Sequence, residues 1–176
     1  TSPIGTTQKI SDYIFTLTGL NSEDINYAYC PERVIPGMIM KELKSNSRII
    51  GGLTKKASCI VKDFYSTFSE GSIKITNSQT AEMVKLVENA YRDVNIAFAN
   101  EISIFCNHVG INSKDLIELS NYHPRVNILS PGIGVGGHCI AIDPWFLIAE
   151  EPNLTNLMQM ARKVNNNKTE WVISQI

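Results

Sequence analysis

Pro131-Gly132-Ile133-Gly134-Val135-Gly136-Gly137-His138-Cys139-Ile140-Ala141-Ile142-Asp143-Pro144-Trp145 is the stretch on which the reading of this chain turns. Gly132-x-Gly134-x-x-Gly137 has the glycine spacing of a dinucleotide-binding turn. Such a turn joins a strand to a helix, and a second strand ends in an acid about twenty residues on. Glu150 and Glu151 fall near that distance, but Pro152 and Asn153 follow them and the next apolar segment has helical spacing. We therefore read the loop as something other than a nucleotide fingerprint, and the chain beyond it as helical.

Four glycines within six residues let backbone N–H groups come very close to a ligand. Cys139 stands where the loop ends, and Asp143 follows four residues later, on the same face of a helix that starts there. A helix N-terminus favours a thiolate, and a carboxylate beside it can orient a water. Soft nucleophile, backbone donors and a water-positioning acid together describe a site for covalent catalysis. The plainer reading of Cys139 is a small buried hydrophobe. Zinc is not indicated: His138 and Cys139 are adjacent, no C-x-x-C is present, His123 is distant, and no metal is expected.

The 176 residues allow one ordinary domain or two small ones, and an apolar fraction of 43% is ample for a core. The net charge of −1, with acids and bases interspersed, points away from nucleic acid and anionic membrane surfaces. No apolar run approaches transmembrane length and no signal peptide is visible, so no membrane role is expected. The four cysteines, Cys30, Cys59, Cys106 and Cys139, are scattered, which suits a reducing cytoplasm. The chain opens on Thr1 and closes on Ile176 in mid-pattern, and we expect the middle of a longer protein.

Residues 1–77 alternate helix and strand. Thr7 is expected to cap a helix over about 8–18 with Ile10, Ile14 and Leu17 on one face. A strand is expected over 25–30, a helix from Pro36 to Leu43, a strand over 48–52, a helix from Thr54 to Phe68, and a strand over 72–76. That order implies a parallel sheet, here with few strands. Residues 78–176 read as helical. Ser78 or Thr80 caps a run to about His108 without Gly or Pro, long for a globular helix. Its apolar positions cover more than one stripe, which points to packing within its own domain and against a second subunit. Ser113 caps a short helix, and two more are expected near 144–150 and 154–176.

Two further groups stand out. Lys85, Asn89 and Arg92, at i, i+4 and i+7, project from one side of the long helix. A solvated face is the ordinary explanation of such a trio, but this helix is too apolar to offer much of one. A buried Lys–Asn–Arg row calls for anionic partners, such as a phosphorylated or carboxylate-forming substrate. Cys30-Pro31-Glu32-Arg33-Val34-Ile35-Pro36-Gly37 follows a strand, at the edge where α/β sheets bind ligands.

Taken in order, Cys30–Gly37, Ala81–Asn89 and Gly132–Asp143 resemble the UDP-glucose/GDP-mannose dehydrogenase family over essentially the whole chain. The resemblance implies the C-terminal part of a Rossmann-like NAD-binding α/β domain, then an all-α central domain that dimerises through its long helix. NAD is the implied cofactor, and the implied reaction is a two-step, four-electron oxidation of C6 of a UDP-sugar, serving surface polysaccharide synthesis. It implies Cys139 as nucleophile, Lys85 as oxyanion stabiliser helped by Asn89, and Asp143 as a group that positions water or tunes Lys85. Glu32 matches a glutamate implicated in thioester hydrolysis, and Thr1 a threonine that holds a water near the nicotinamide. Arg33, Val34, Lys85, Asn89, Arg92, His123, Arg125 and Gly136 match positions that bind the nucleotide sugar. Members that oxidise UDP-glucose carry a glutamate where Pro36 stands and a lysine where Ile142 stands. These departures favour an N-acetylated sugar; the resemblance implies UDP-N-acetyl-D-mannosamine, with UDP-glucose or another UDP-sugar as the alternative. The family's NAD fingerprint and UDP-binding domain have no counterpart in residues 1–176, so the excerpt alone is expected to be an inactive dimerising piece.

Overall fold

The computed structural model describes residues 1–176, which divide into two compact units, Thr1–Lys85 and Leu86–Ile176. In the first unit, α1 (Thr6–Thr18) runs between two left-handed glycines, Gly5 (φ +82°) and Gly19 (φ +75°). Thr7 does not cap it. The N–H groups at its start are met by a carboxylate 75 residues beyond Thr7. Glu82 accepts from the Gly5 N–H at 2.6 Å, the Thr7 N–H at 2.7 Å and the Thr7 hydroxyl at 2.6 Å. The helix is thus anchored at its end rather than along the expected apolar stripe, where Ile10 is 49% and Leu17 66% exposed.

The sheet has three strands in the order β1 (Ala28–Tyr29), β2 (Arg48–Gly52), β3 (Ile73–Asn77). β2 and β3 are parallel, joined across α3 (Lys55–Ser66), and Thr54 caps that helix by accepting from the Ala57 N–H at 3.0 Å. β1 departs from the expected parallel sheet. It is antiparallel to β2, and only two residues pair, Ala28 with Gly52 and Tyr29 with Gly51. Pro31, two residues beyond the strand, has no N–H to donate and limits the ladder. The helix expected from Pro36 begins three residues later, as α2 (Ile39–Ser45), because Gly37 is left-handed (φ +89°) and turns the chain first. Gly51 is required by close approach: a Cβ there would lie 2.4 Å from the Asn77 carbonyl oxygen and 2.6 Å from Ala81 Cβ.

The long helix, α4 (Ser78–Val109, 32 residues), starts in the first unit and continues into the second. Its cap is Asn77, whose Oδ1 accepts from the Thr80 N–H at 2.8 Å, in place of the expected Ser78 or Thr80. In the second unit follow α5 (Ser113–Ser120), capped by Asn112 rather than Ser113, then α6 (Cys139–Ile142), α7 (Pro144–Glu150) and α8 (Asn156–Ser174). Ala90, Ala97, Cys106, Ile117, Ile140, Leu147, Ile148 and Ala161 form the apolar core of this unit. No helix is long and apolar enough to cross a membrane.

α4 buries a polar row next to its apolar core positions. Glu82, Asn89, Asp93 and Asn100 are all buried, and their positions fall within about 40° of one another on a helical wheel. Val87, Tyr91, Phe98, Phe105 and Val109 are exposed, and they cluster as tightly on the opposite side. The expected Lys85–Asn89–Arg92 row is corrected accordingly. Asn89 lies inside, Lys85 is half-buried at the edge, and Arg92 is exposed, being about 60° off the Asn89 direction. Asp93 takes the inward position instead.

Candidate functional site

In the first unit the Cys30–Gly37 loop is built around Glu32. One carboxylate oxygen accepts from its own loop, the Arg33 N–H at 2.7 Å and the Val34 N–H at 3.2 Å. The other pairs with Arg48 Nη1 at 3.3 Å. The backbone carbonyl of Glu32 accepts from Lys85 Nζ at 2.8 Å. Glu42 holds the next turn by accepting from the Ile35 N–H at 2.7 Å, and Arg33 Nη1 donates to the Ser47 carbonyl at 3.3 Å. Val34 is half-buried and Thr1 is exposed.

Arg48 is the residue that the sequence reading missed. It opens β2, is 5% exposed, donates to the Leu43 carbonyl at 2.7 Å and lies 4.4 Å from the Tyr65 ring centroid. The available signal was a charged residue at the head of an apolar strand. Partial burial raises the Glu32 pKa, but the Arg33 N–H, the Arg48 guanidinium and the Val34 N–H outweigh it and hold the carboxyl below its ordinary value. Cys30, beside the same loop, is pushed by burial to a pKa of about 11, against the pull of Arg48. A thiol of that kind is not a nucleophile near neutral pH.

The second unit carries the glycine loop and the cysteine at its end. Cys139 is exposed and opens α6, so its thiol stands at the first turn, as expected. Asp143 closes that turn, its N–H donating to the Cys139 carbonyl at 2.9 Å. The Asp143 carboxylate is 3% exposed and accepts from Asn89 Nδ2 at 2.5 Å. Asn89 and Asp143 are thus brought together, one on α4 and one at the α6–α7 junction. Pro144 follows at the first position of α7, where its missing N–H leaves no bond unmade.

Within the loop the glycines differ in purpose. Gly137 needs its left-handed backbone (φ +76°), and Gly134 is pressed against α8. Gly136 has no neighbour within 4 Å of the place a Cβ would take, so no packing within the chain calls for a glycine there. His123 and Arg125 sit on a turn closed by Asn121, which bonds both backbone groups of Ile128, at 2.7 and 3.0 Å. Both side chains are exposed, and His123 Nδ1 accepts from the Arg125 N–H at 3.3 Å. No group of three or more His, Cys, Asp or Glu is arranged to hold a metal ion.

Comparison with known proteins agrees along the whole chain. The sequence model of the NAD binding domain of the UDP-glucose/GDP-mannose dehydrogenase family matches residues 1–69, and that of the family's central domain matches residues 79–167. A UDP-N-acetyl-D-mannosamine dehydrogenase of Escherichia coli (strain K12) is 52% identical over 184 residues, covering 100% of this chain and 44% of that protein. An NDP-N-acetyl-D-galactosaminuronic acid dehydrogenase of Ralstonia nicotianae is 48% identical, again over 100% of this chain and 44% of that protein. The solved structure of a UDP-D-ManNAc dehydrogenase from Pyrococcus horikoshii superposes with a TM-score of 0.93 at 47% identity, covering 98% of this chain and 41% of that one. The chain therefore spans less than half the length of the curated relatives it matches. With an NAD binding domain segment followed by a central domain, the chain belongs to the UDP-glucose/GDP-mannose dehydrogenase family.

Proposed function

We propose that the protein containing this chain is an NAD-dependent dehydrogenase that oxidises C6 of UDP-N-acetyl-D-mannosamine to the uronate. The reaction would serve surface polysaccharide synthesis in the cytoplasm. The observation that carries the reading is Cys139: an exposed thiol at the end of a glycine loop, one helical turn before a buried carboxylate fixed by Asn89. The names of the similar proteins support an N-acetylated UDP-sugar, as do Pro36 and Ile142. We assign residues 1–77 to the NAD-binding domain and 78–176 to the central domain.

NAD would accept hydride from the sugar carbon in each of two oxidations. The residues present fit that cofactor in part. The parallel β2–α3–β3 unit is of the type that builds such a domain, and Thr1 is the residue here assigned to the nicotinamide side. Cys139 adds its sulfur to the aldehyde carbon, the C=O π bond opens, and the proton lost from the thiol is balanced by one taken up at the former carbonyl oxygen, giving a thiohemiacetal. An aldehyde must become tetrahedral before loss of hydride can give a carboxyl-level product, and the thiol supplies that adduct. Loss of hydride then leaves a thioester on Cys139, and water releases the uronate and restores the thiol.

Each stage puts negative charge on the same oxygen. Lys85, held by the Glu32 carbonyl, supplies the cation that this oxygen needs, and Asn89 a neutral donor one helical turn on. Removing one such donor commonly costs about 3–4 kcal/mol of barrier, a hundredfold or more in rate. Asp143 positions the Asn89 amide and a water, and Glu32, kept ionised by Arg48, is the base in thioester hydrolysis. Arg33, Val34, Arg92, His123, Arg125 and Gly136 bind the nucleotide sugar. The open approach to Gly136 supports its place in that set. The exposed Val87–Tyr91–Phe98–Phe105–Val109 stripe of α4 supports a homodimer through this helix.

Three measurements on the full-length protein test these assignments. With UDP-N-acetyl-D-mannosamine, two NADH should form per sugar, and the Cys139→Ala protein should release no uronate. Preference for UDP-glucose would refute the substrate inference from Pro36 and Ile142. Arg48→Met should raise the Glu32 pKa, so the acid limb of uronate formation moves to higher pH; an unmoved limb would remove Glu32 as the base. Phe98→Asp should convert a dimer to a monomer in light scattering, and an unchanged mass would place the interface elsewhere.

A further inference from the structure

The glycine loop is gripped from behind by side chains that the proposed chemistry does not use. Asn100, on α4, is fully buried. Its Oδ1 accepts from the Gly132 N–H at 2.8 Å. Its Nδ2 donates to Asn165 Oδ1 at 2.9 Å and, at 3.4 Å, to the Gly134 carbonyl. Thr169, on α8, donates its hydroxyl to the Ile133 carbonyl at 2.9 Å. Three consecutive loop residues are therefore bonded to two helices. The seat is close: a Cβ at Gly134 would stand 2.9 Å from Thr169 Oγ1 and 3.6 Å from the Asn165 carbonyl oxygen.

The direction of the Asn100 amide is imposed from deeper in the unit. Asp93, ion-paired with Arg162 at 2.6 Å, offers only acceptors. Asn165 must turn its NH2 to Asp93 Oδ1, at 2.8 Å. Its own oxygen then faces Asn100, so the Asn100 NH2 points back to Asn165 and its oxygen is left for the Gly132 N–H. One buried carboxylate thus decides which atom meets the loop.

We propose that Asn100 and Thr169 are positioning residues that hold the Gly132–Gly134 backbone in register for the UDP-sugar, with Asp93 acting through Asn165. The inference rests on the reading of Gly136 as substrate-binding and of Cys139 as the nucleophile.

The test compares Asn100→Asp, Thr169→Val and Cys139→Ala in the full-length protein. Asn100→Asp keeps the volume but sets an oxygen against Asn165 Oδ1 and the Gly134 carbonyl. Thr169→Val keeps the shape and removes only the hydroxyl. The KM for UDP-N-acetyl-D-mannosamine should rise about tenfold in the first and about threefold in the second, with the KM for NAD unchanged. A loss of folded protein would lower kcat without that selective rise. If both variants melt normally and keep the sugar KM within about twofold, the clamp is refuted. Hydrogen exchange of the unmodified protein decides the matter should Asn100→Asp not fold. The Gly132 amide should exchange at least about tenfold more slowly than those of Gly136 and Gly137, and equal rates would overturn the proposal. Full turnover by Cys139→Ala would sink the catalytic reading alone, leaving the exchange result to judge the clamp.

Discussion

α4 buries a row of polar residues beside its apolar core positions and exposes an apolar stripe, and most of what is specific about this chain depends on that buried row. A buried polar group costs about 1–3 kcal/mol if it is left without a partner. The inward polar residues of α4 find partners both on α8, as Asp93 does with Arg162 and Asn165, and on helix ends and loops. Glu82 holds the start of α1, Lys85 the Glu32 carbonyl, Asn89 the Asp143 carboxylate, and Asn100 the glycine loop. Backbone that could not order itself is thereby ordered by a helix that can. The outward stripe of Val87, Tyr91, Phe98, Phe105 and Val109 is the complement of this arrangement, an apolar surface displaced from the core by the polar row.

The consequence for chemistry is preorganisation. Loops that carry reacting groups tend to be mobile, and a misplacement of the order of 1 Å can cost a hundredfold in rate. Here the Glu32 loop is tied by its own carboxylate at N–H groups and by the half-buried Lys85 at a carbonyl, and Gly132–Gly134 by the buried Asn100 and half-buried Thr169. Asp143 is tied twice, by Asn89 through its side chain and by Cys139 through its backbone. The proposed nucleophile itself stays exposed while its surroundings are fixed.

Much of this was legible in the sequence, and the exceptions have physical causes. The long helix, the Arg48–Gly52 strand and the Thr54 cap follow from local signals that tertiary contacts reinforce. The start of α1 is not legible locally, because its capping group, Glu82, lies 75 residues beyond Thr7. β1 was expected to be longer and parallel, but strand direction is set by where the intervening chain re-enters the sheet, which periodicity does not encode. Spacing puts Arg92 with Lys85 and Asn89, but burial depends on where the centre of the inward face falls. Asn100 and Asp93 carried a signal that went unused: polar residues recurring on one side of an otherwise apolar helix. The resemblance of the Cys30–Gly37, Ala81–Asn89 and Gly132–Asp143 segments to known dehydrogenases was readable because those residues lie close together in short motifs.

The central claim is that Cys139 carries the sugar between the two oxidations. The direct test is to slow hydrolysis with Glu32→Gln in the full-length protein, mix it with UDP-N-acetyl-D-mannosamine and NAD, quench in acid and map adducts by mass spectrometry. The account predicts a uronyl thioester on Cys139 and none on Cys30, Cys59 or Cys106. An adduct on a different cysteine, or turnover with every cysteine unmodified throughout, would contradict it.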